Sequence, residues 1–330
     1  MIIKPEISAV IITDDNVECI NAIESVLDSC IEVIVVNNGK TTNVNELCKK
    51  YGDKVKVIYF EWCNDYSKAR NYGIDRAKGN WILTIDSDEI LQNKIEFLDD
   101  KYLAYLTRQQ NDSFGYLTAR LFQNKPGIRY RNKIHETIDH CITPETCCES
   151  DIVLKHSGYN ITDEQMKAKM KRNYDLMFQD KGNRVYNLHM GNYYFTIEKD
   201  YHKALKFYKK ATKDKLNDEH LAVIYMNIHA CQFMLKYPLK NLLETLCRSL
   251  VFEPFQLHCR VNIVEHLLSV VNDDNKDKYI YQVRDELGKI ERIKQYGLSN
   301  LIFKDTDVSI EWINEKYNEL SKFGIERIAV

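Results

Sequence analysis

Glycine and proline are scarce, with 12 and 5 residues in a chain of 330. That shortage excludes collagen-like, linker-rich and disordered architectures, which need one or both in quantity. Neither charge sign dominates, since 46 Lys+Arg against 48 Asp+Glu leave a net charge of −2. The chain therefore has no global electrostatic pull toward nucleic acid or an anionic membrane. No apolar run approaches the ~20 residues needed to span a bilayer. The opening stretch MIIKPEISAV lacks the apolar core and small-residue cleavage site of a signal peptide. The ten cysteines (Cys19, Cys30, Cys48, Cys63, Cys141, Cys147, Cys148, Cys231, Cys247 and Cys259) include no C-x-x-C pair, which argues against a zinc ribbon. They are expected to be mostly reduced, in a cytoplasmic protein. Cys147-Cys148 is either two ordinary thiols or a redox or metal pair.

What is present is a change of pattern along the chain. The first ~90 residues alternate strand and helix signals. ISAVIIT (7–13), EVIVVNN (32–38), KVKVIYF (54–60) and NWILTID (80–86) have the length and apolar content of strands. Between them, 17–29, 43–52 and 65–79 carry helical spacing or helix end signals, with Gly52 and Gly79 as stops. Such alternation predicts right-handed βαβ units and a mostly parallel sheet. Ligands of such sheets bind beyond the carboxyl ends of the strands.

From about 160 the strand signals stop and a lysine-rich helix, 163–182, leads into an almost wholly helical remainder. Gly191, Tyr194, Ala204, Tyr208 and Ala211 follow tetratricopeptide spacing, with one extra residue in the turn. Ala230, Phe233, Leu242, Leu246, Ser249 and Pro254 form a second, more degenerate match. A generic α-hairpin bundle is the alternative. Trp312 and Tyr317 are available to bury in a terminal cap. The expected organisation is a catalytic domain over 1–160, a connecting helix over 161–182, helical repeats over 183–270 and a cap over 271–330. The repeats are expected to serve docking or dimerisation.

The most informative stretch is ILTIDSDEIL (82–91), an apolar strand that ends in Asp86, Asp88 and Glu89. In extended chain, residues i and i+2 project together. Two hard oxygen ligands on one side suit Mg²⁺ or Mn²⁺. A solvated acidic turn is the competing reading of so short a motif.

The acids do not stand alone. NDYSKARNYGIDRAKGNWILTIDSDE (64–89) resembles the core of family 2 glycosyltransferases, which have the GT-A fold. The likeness rests on Ala69-Arg70-Asn71, Gly73-Ile74, Ala77, Gly79 and the two aspartates. ISAVIITDDN and EVIVVNNGKTTN resemble the family's first two strands. RYRNKIHETI (129–138) resembles the His-Glu motif of a branch of the family, and LKHSGY (154–159) a later strand whose histidine completes a metal site. With Trp62, Asn64-Asp65-Tyr66-Ser67 and the helical repeats, the chain is similar to the peptide S-glycosyltransferases that modify glycopeptide bacteriocins (sublancin-type enzymes).

The resemblance implies an inverting, metal-dependent transfer of a hexose from a nucleotide-diphosphate sugar, UDP-linked by family habit, to a peptide or protein side chain (Cys or Ser/Thr). Asp88 and His156 would hold the metal. Thr13, Asn37, Arg70 and Asp86 would contact the nucleotide sugar, with Asp15 a further choice for the base. Loop capping is the alternative for Thr13 and Asp15, and a helix-surface ion pair for Arg70. Glu136 is the first choice of general base, with His135 orienting it or the acceptor, and Glu89 is held in reserve. A simple packed histidine is the alternative at 135, and a hydrogen-bonded strand-end histidine at 156. Trp62 and Tyr66 either line the sugar pocket or belong to the core. The family usually carries an aspartate after the second strand, where this chain has Asn37 and Asn38. An amide oxygen can still accept from a uracil N3–H, but the charge is gone. The remaining readings are a polysaccharide, lipid-linked or nucleic-acid acceptor, or a repeat scaffold with an inactive transferase domain.

Overall fold

The computed structural model describes residues 1–39, 43–110, 115–156, 163–298, 308–323 and 327. The chain divides into two compact units, Met1–Gly182 and Asn183–Val330.

The first unit runs β1 (Ile2–Ile3), β2 (Ile7–Thr13), α1 (Cys19–Val26), β3 (Glu32–Asn37), α2 (Asn43–Cys48), β4 (Val55–Tyr59), α3 (Tyr66–Ile74), β5 (Trp81–Asp86), β6 (Glu89–Leu91) and β7 (Leu98–Asp99). It continues with β8 (Ala104–Gln110), β9 (Gly115–Gln123), β10 (Cys147–His156) and α4 (Asp163–Phe178). Eight strands form one sheet in the order β4-β3-β2-β5-β9-β8-β10-β6. The ladders β4-β3, β3-β2 and β2-β5 are parallel, as the alternation predicted. The other half is mixed: β5-β9, β9-β8 and β10-β6 are antiparallel, while β8-β10 is parallel.

β3 is buried along its whole length and β2 nearly so, which is why both read as unbroken Val/Ile runs. α3 starts at Asp65, whose carboxylate accepts the Lys68 backbone N–H at 3.0 Å. It lies close on the sheet: a Cβ at Gly73 would come within 2.5 Å of Val10 and 2.7 Å of Val36. Only glycine permits that approach, and it brings Arg70 and Asn71 to the end of β5. The apolar faces of α1 and α2 close the opposite side with Ile23, Val26 and Val44.

Cys147 and Cys148 open β10, opposite Ala104 and Tyr105. Cys148 Sγ donates to the Glu149 carbonyl at 3.3 Å, and burial raises the Cys147 thiol. These are the marks of two ordinary thiols. Ser157–Tyr159 of the LKHSGY stretch lie outside the described residues.

Among the described residues the second unit is helical: α5 (Tyr186–Thr196), α6 (Tyr201–Ala211), α7 (Asp218–Met234), α8 (Leu239–Phe252), α9 (Leu257–Leu268), α10 (Lys276–Gln295) and α11 (Ile310–Ser321). The first repeat packs as its spacing implied. Ala204, Tyr208 and Ala211 are buried, and a Cβ at Gly191 would come within 2.4 Å of the Tyr208 ring. The first helix of the second match does not follow its spacing. Leu242, Leu246 and Ser249 are buried on α8, but Phe233 is 56% exposed. Ser249 Oγ instead donates to the Ala222 carbonyl at 2.8 Å. In the expected cap, Tyr317 is buried and donates to Glu291 at 3.1 Å, while Trp312 is half-buried and donates to Glu265 at 3.2 Å.

No helix among the described residues is long and apolar enough to cross a membrane.

Candidate active site

Sheet register assembles the site. Thr13 lies opposite Asn37 and Ile12 opposite Asp86, so β2, β3 and β5 end together. Asp86, Ser87 and Asp88 then turn the chain into β6, where Glu89 faces His156 across the antiparallel ladder. Residues 67 apart in sequence meet at one edge.

Asp86 is an ion-pair hub. Arg70 Nη2 donates to its Oδ1 at 2.5 Å and Arg120 Nη2 to its Oδ2 at 2.9 Å. Burial alone would raise its pKa, but Arg120 and Arg70 outweigh that and hold it well below the usual carboxylate range. Arg70 is no surface residue, at 2% exposure. Its Nε donates to Glu136 Oε1 at 2.7 Å, and its guanidinium lies 5.5 Å from the Tyr130 ring centroid.

Glu89 is fully buried. Its Oε2 accepts the Asp86 backbone N–H at 2.8 Å, and its Oε1 has no hydrogen bond. Burial, then the charge of Asp86, raises its pKa, and Arg120 only partly opposes them. His156 Nε2 lies 3.6 Å from Glu89 Oε1, and His156 Nδ1 lies 3.6 Å from Asp88 Oδ2. The Asp88 carboxylate raises the imidazole pKa, against the opposing effect of burial.

Glu136 sits in a loop, half-buried, with His135 before it exposed and in the left-handed region at φ 51°. Burial lowers the His135 imidazole pKa, opposed by the charge of Glu136. Trp62 and Tyr66 meet edge to face with centroids 4.8 Å apart. The Tyr66 phenol is pushed up by burial and senses the charges of Glu136 and Asp86.

For Asp15 the structure shows loop capping. At φ 71° it accepts from Val44 N at 3.1 Å and Asn43 N at 3.3 Å, ahead of α2. Its Oδ1 also accepts Asn37 Nδ2 at 2.9 Å, while Asn37 Oδ1 accepts Gly39 N at 2.9 Å. The Asn37 amide is held at both ends. Thr13 Oγ1 accepts Asn16 N at 3.1 Å, again a loop contact.

Arg120 and Tyr130 are residues that sequence reasoning passed over, and Asn71 was named in its motif without a role. An arginine inside the alternating strand YLTARLF was the one available signal, because a strand rarely spends an inward position on a cation without a partner.

Among the described residues, no group of three or more His, Cys, Asp and Glu side chains is arranged to hold a metal. The pair Asp88–His156 nonetheless fits one as a partial set. It joins a hard oxygen and an imidazole beside the unbonded Glu89 Oε1, and leaves positions for phosphate oxygens.

Residues 17–145 match the sequence model of glycosyl transferase family 2. The chain carries a family 2 glycosyltransferase domain. A TPR repeat-containing protein of Synechococcus elongatus is 32% identical over 145 residues, covering 41% of this chain and 36% of that protein. The SPbeta prophage-derived glycosyltransferase SunS of Bacillus subtilis is 26% identical over 224 residues, covering 61% of this chain and 51% of SunS. Glycosyltransferase GlyA of Streptococcus pneumoniae is 34% identical over 127 residues, covering 37% of this chain and 18% of GlyA. The chain thus spans about half of SunS and less of the other two. The transferase domain contains Asp86, Asp88, Glu89, Arg70, Arg120 and Glu136, whereas His156 follows the matched residues on the same sheet.

Proposed function

We propose that this protein is an inverting, metal-dependent glycosyltransferase that moves a hexose from a nucleotide-diphosphate sugar, UDP-linked by preference, to a Cys or Ser/Thr side chain of a peptide or protein. The observation that carries the reading is the meeting of Asp88 and His156 beside an Asp86 whose charge two arginines already balance. Of the two aspartates, Asp88 is the one that lies beside His156. A divalent ion held by Asp88 and His156 supplies Lewis-acid neutralisation of the leaving diphosphate.

Glu136 takes the proton of the acceptor thiol or hydroxyl. The acceptor atom bonds to the anomeric carbon as the bond to the diphosphate oxygen breaks, and configuration inverts. Accessibility favours Glu136 over Glu89, since its side chain is 14% exposed and that of Glu89 is 0%. The edge around Thr13, Asn37 and Asp86 takes the nucleotide, with Trp62 and Tyr66 beside the sugar. The peptide acceptor is supported by the likeness of WCNDYSKARN to the bacteriocin-modifying branch and by the helical unit, which offers a docking surface to the acceptor or to a second copy.

The test is donor hydrolysis and intact-mass detection of peptide transfer with Mn²⁺ over a nucleotide-sugar panel. Turnover that Asp88→Ala abolishes supports the enzyme. Peptide binding without turnover of any donor would mean a scaffold. Turnover only with polysaccharide, lipid-linked or nucleic-acid acceptors would overturn the peptide assignment.

A further inference from the structure

The Arg70-Asn71 pair faces inward from α3 onto the loop that carries Glu136, and every contact it makes there restrains that loop. Asn71 Nδ2 donates to the Tyr130 carbonyl at 2.9 Å, and Tyr130 N donates back to Asn71 Oδ1 at 2.9 Å. One side chain thus takes both backbone groups of a loop residue, as a neighbouring strand would. Tyr66 N donates to the Lys133 carbonyl at 2.9 Å, and Lys133 N to Asp180 Oδ2 at 2.8 Å. The loop closes on itself through the bridge Arg131–Thr137. Asn132 at φ 78° and His135 at φ 51° sit in the left-handed region. Asparagine and histidine are among the non-glycine residues that take that conformation most readily, so the loop makes both bends at little cost. Arg70 then ties the Glu136 carboxylate to Asp86 through one guanidinium.

We propose that Arg70 and Asn71 are positioning residues, which pin the 130–137 loop and aim the Glu136 carboxylate at the acceptor rather than gripping the nucleotide. This rests on the reading of Glu136 as the base. Three features favour positioning over direct phosphate contact. The Arg70 side chain is 3% exposed. Two of its nitrogens are spent on protein carboxylates. A planar fork suits the task, because it fixes two carboxylates at a set angle where an ammonium would not.

The experiment compares Arg70→Lys, Asn71→Asp, Glu136→Gln and the double variant Arg70→Lys/Glu136→Gln in the full chain. Transfer is followed under multiple and single turnover, nucleotide diphosphate binding by calorimetry, and folding by thermal melts. A misaimed base costs rate rather than donor affinity, so Arg70→Lys should lower transfer kcat by about 10–100-fold. Donor KM and nucleotide affinity should stay within about threefold. Asn71→Asp keeps the acceptor for Tyr130 N and should lower kcat by about tenfold. In the Glu136→Gln background Arg70→Lys should cost nothing further, because there is no base left to aim. A loss of nucleotide affinity with kcat kept, or losses that multiply in the double variant, would overturn the proposal. If Arg70→Lys does not fold, Asn71→Asp decides by the same readouts. An inactive Glu136→Gln beside wild-type-like Arg70→Lys and Asn71→Asp would sink the positioning alone. A fully active Glu136→Gln would sink the base assignment and this inference with it.

Discussion

Glu32 and Glu89 are buried carboxylates at opposite edges of one sheet. Glu32, at the start of β3, accepts from Ser8 Oγ at 2.8 Å, Lys56 Nζ at 2.9 Å and Lys78 N at 2.6 Å. Burial would raise its pKa, but those donors outweigh it and hold it below the usual range. Glu89 has one donor, and both burial and Asp86 push it up. The amino edge has its buried polar capacity satisfied by the protein itself. The carboxyl edge does not, since Asn38 Oδ1 and Glu89 Oε1 are buried there without a hydrogen bond. An unmade bond of this kind costs about 1–3 kcal/mol. Such atoms occur in the helical unit as well, at Gln232 Oε1, Arg260 Nε and Arg284 Nε, so the contrast holds between the two edges of the sheet.

Three substitutions would break or sharpen this contrast, beginning with the largest effect. Asp88→Ala, at the carboxyl edge, should reduce transfer and donor hydrolysis by at least about 100-fold. Its melting temperature should move by no more than about 2 °C. Chelation of the wild type should give the same loss, reversed by Mn²⁺.

Glu32→Gln, at the amino edge, should do the converse. Stability should fall by about 1–3 kcal/mol with kcat unchanged, read by denaturant melts beside the transfer assay. The pH dependence has a definite sign, because the folded pKa is the depressed one. The contribution of Glu32 is complete above the unfolded carboxyl value of 4.5 and is lost as pH falls through the folded value. The gap between wild type and variant should be widest near neutrality and close in acid. A gap that persists once the folded carboxyl is protonated would mean that Glu32 stabilises by packing.

Glu89→Gln should have the smallest effect. Its amide oxygen keeps the bond from Asp86 N, so the melting shift should be smaller than for Glu32→Gln and transfer should stay within about threefold. Loss of transfer here, with Glu136→Gln active, would move the base to Glu89.

The parallel half of the sheet was legible because β2, β3 and β5 are buried on both faces and must be written in Val and Ile. The mixed half was not. AYLTRQQ and GYLTARLFQ alternate apolar and polar residues, and nothing local says that one pairs with β5 and the other with β10. Arg120 was lost with them, since its partner Asp86 lies 34 residues away. Arg70 was visible in its motif, but its direction was not: burial against Tyr130 and two carboxylates is a property of the packed helix. In the helical unit Gly191 announced its close contact with Tyr208. In the second match Phe233 departs from the expected packing, since it is 56% exposed.

The amide of Asn37, held between Asp15 and Gly39, constrains what this lineage can become. Aspartate at 37 would set a second carboxylate against Asp15 at the place where an N–H now donates across 2.9 Å. Asp15 keeps its backbone donors Asn43 N and Val44 N in either case, so the conflict falls on residue 37. A mutational path toward the more familiar aspartate must pass first, or at once, through position 15.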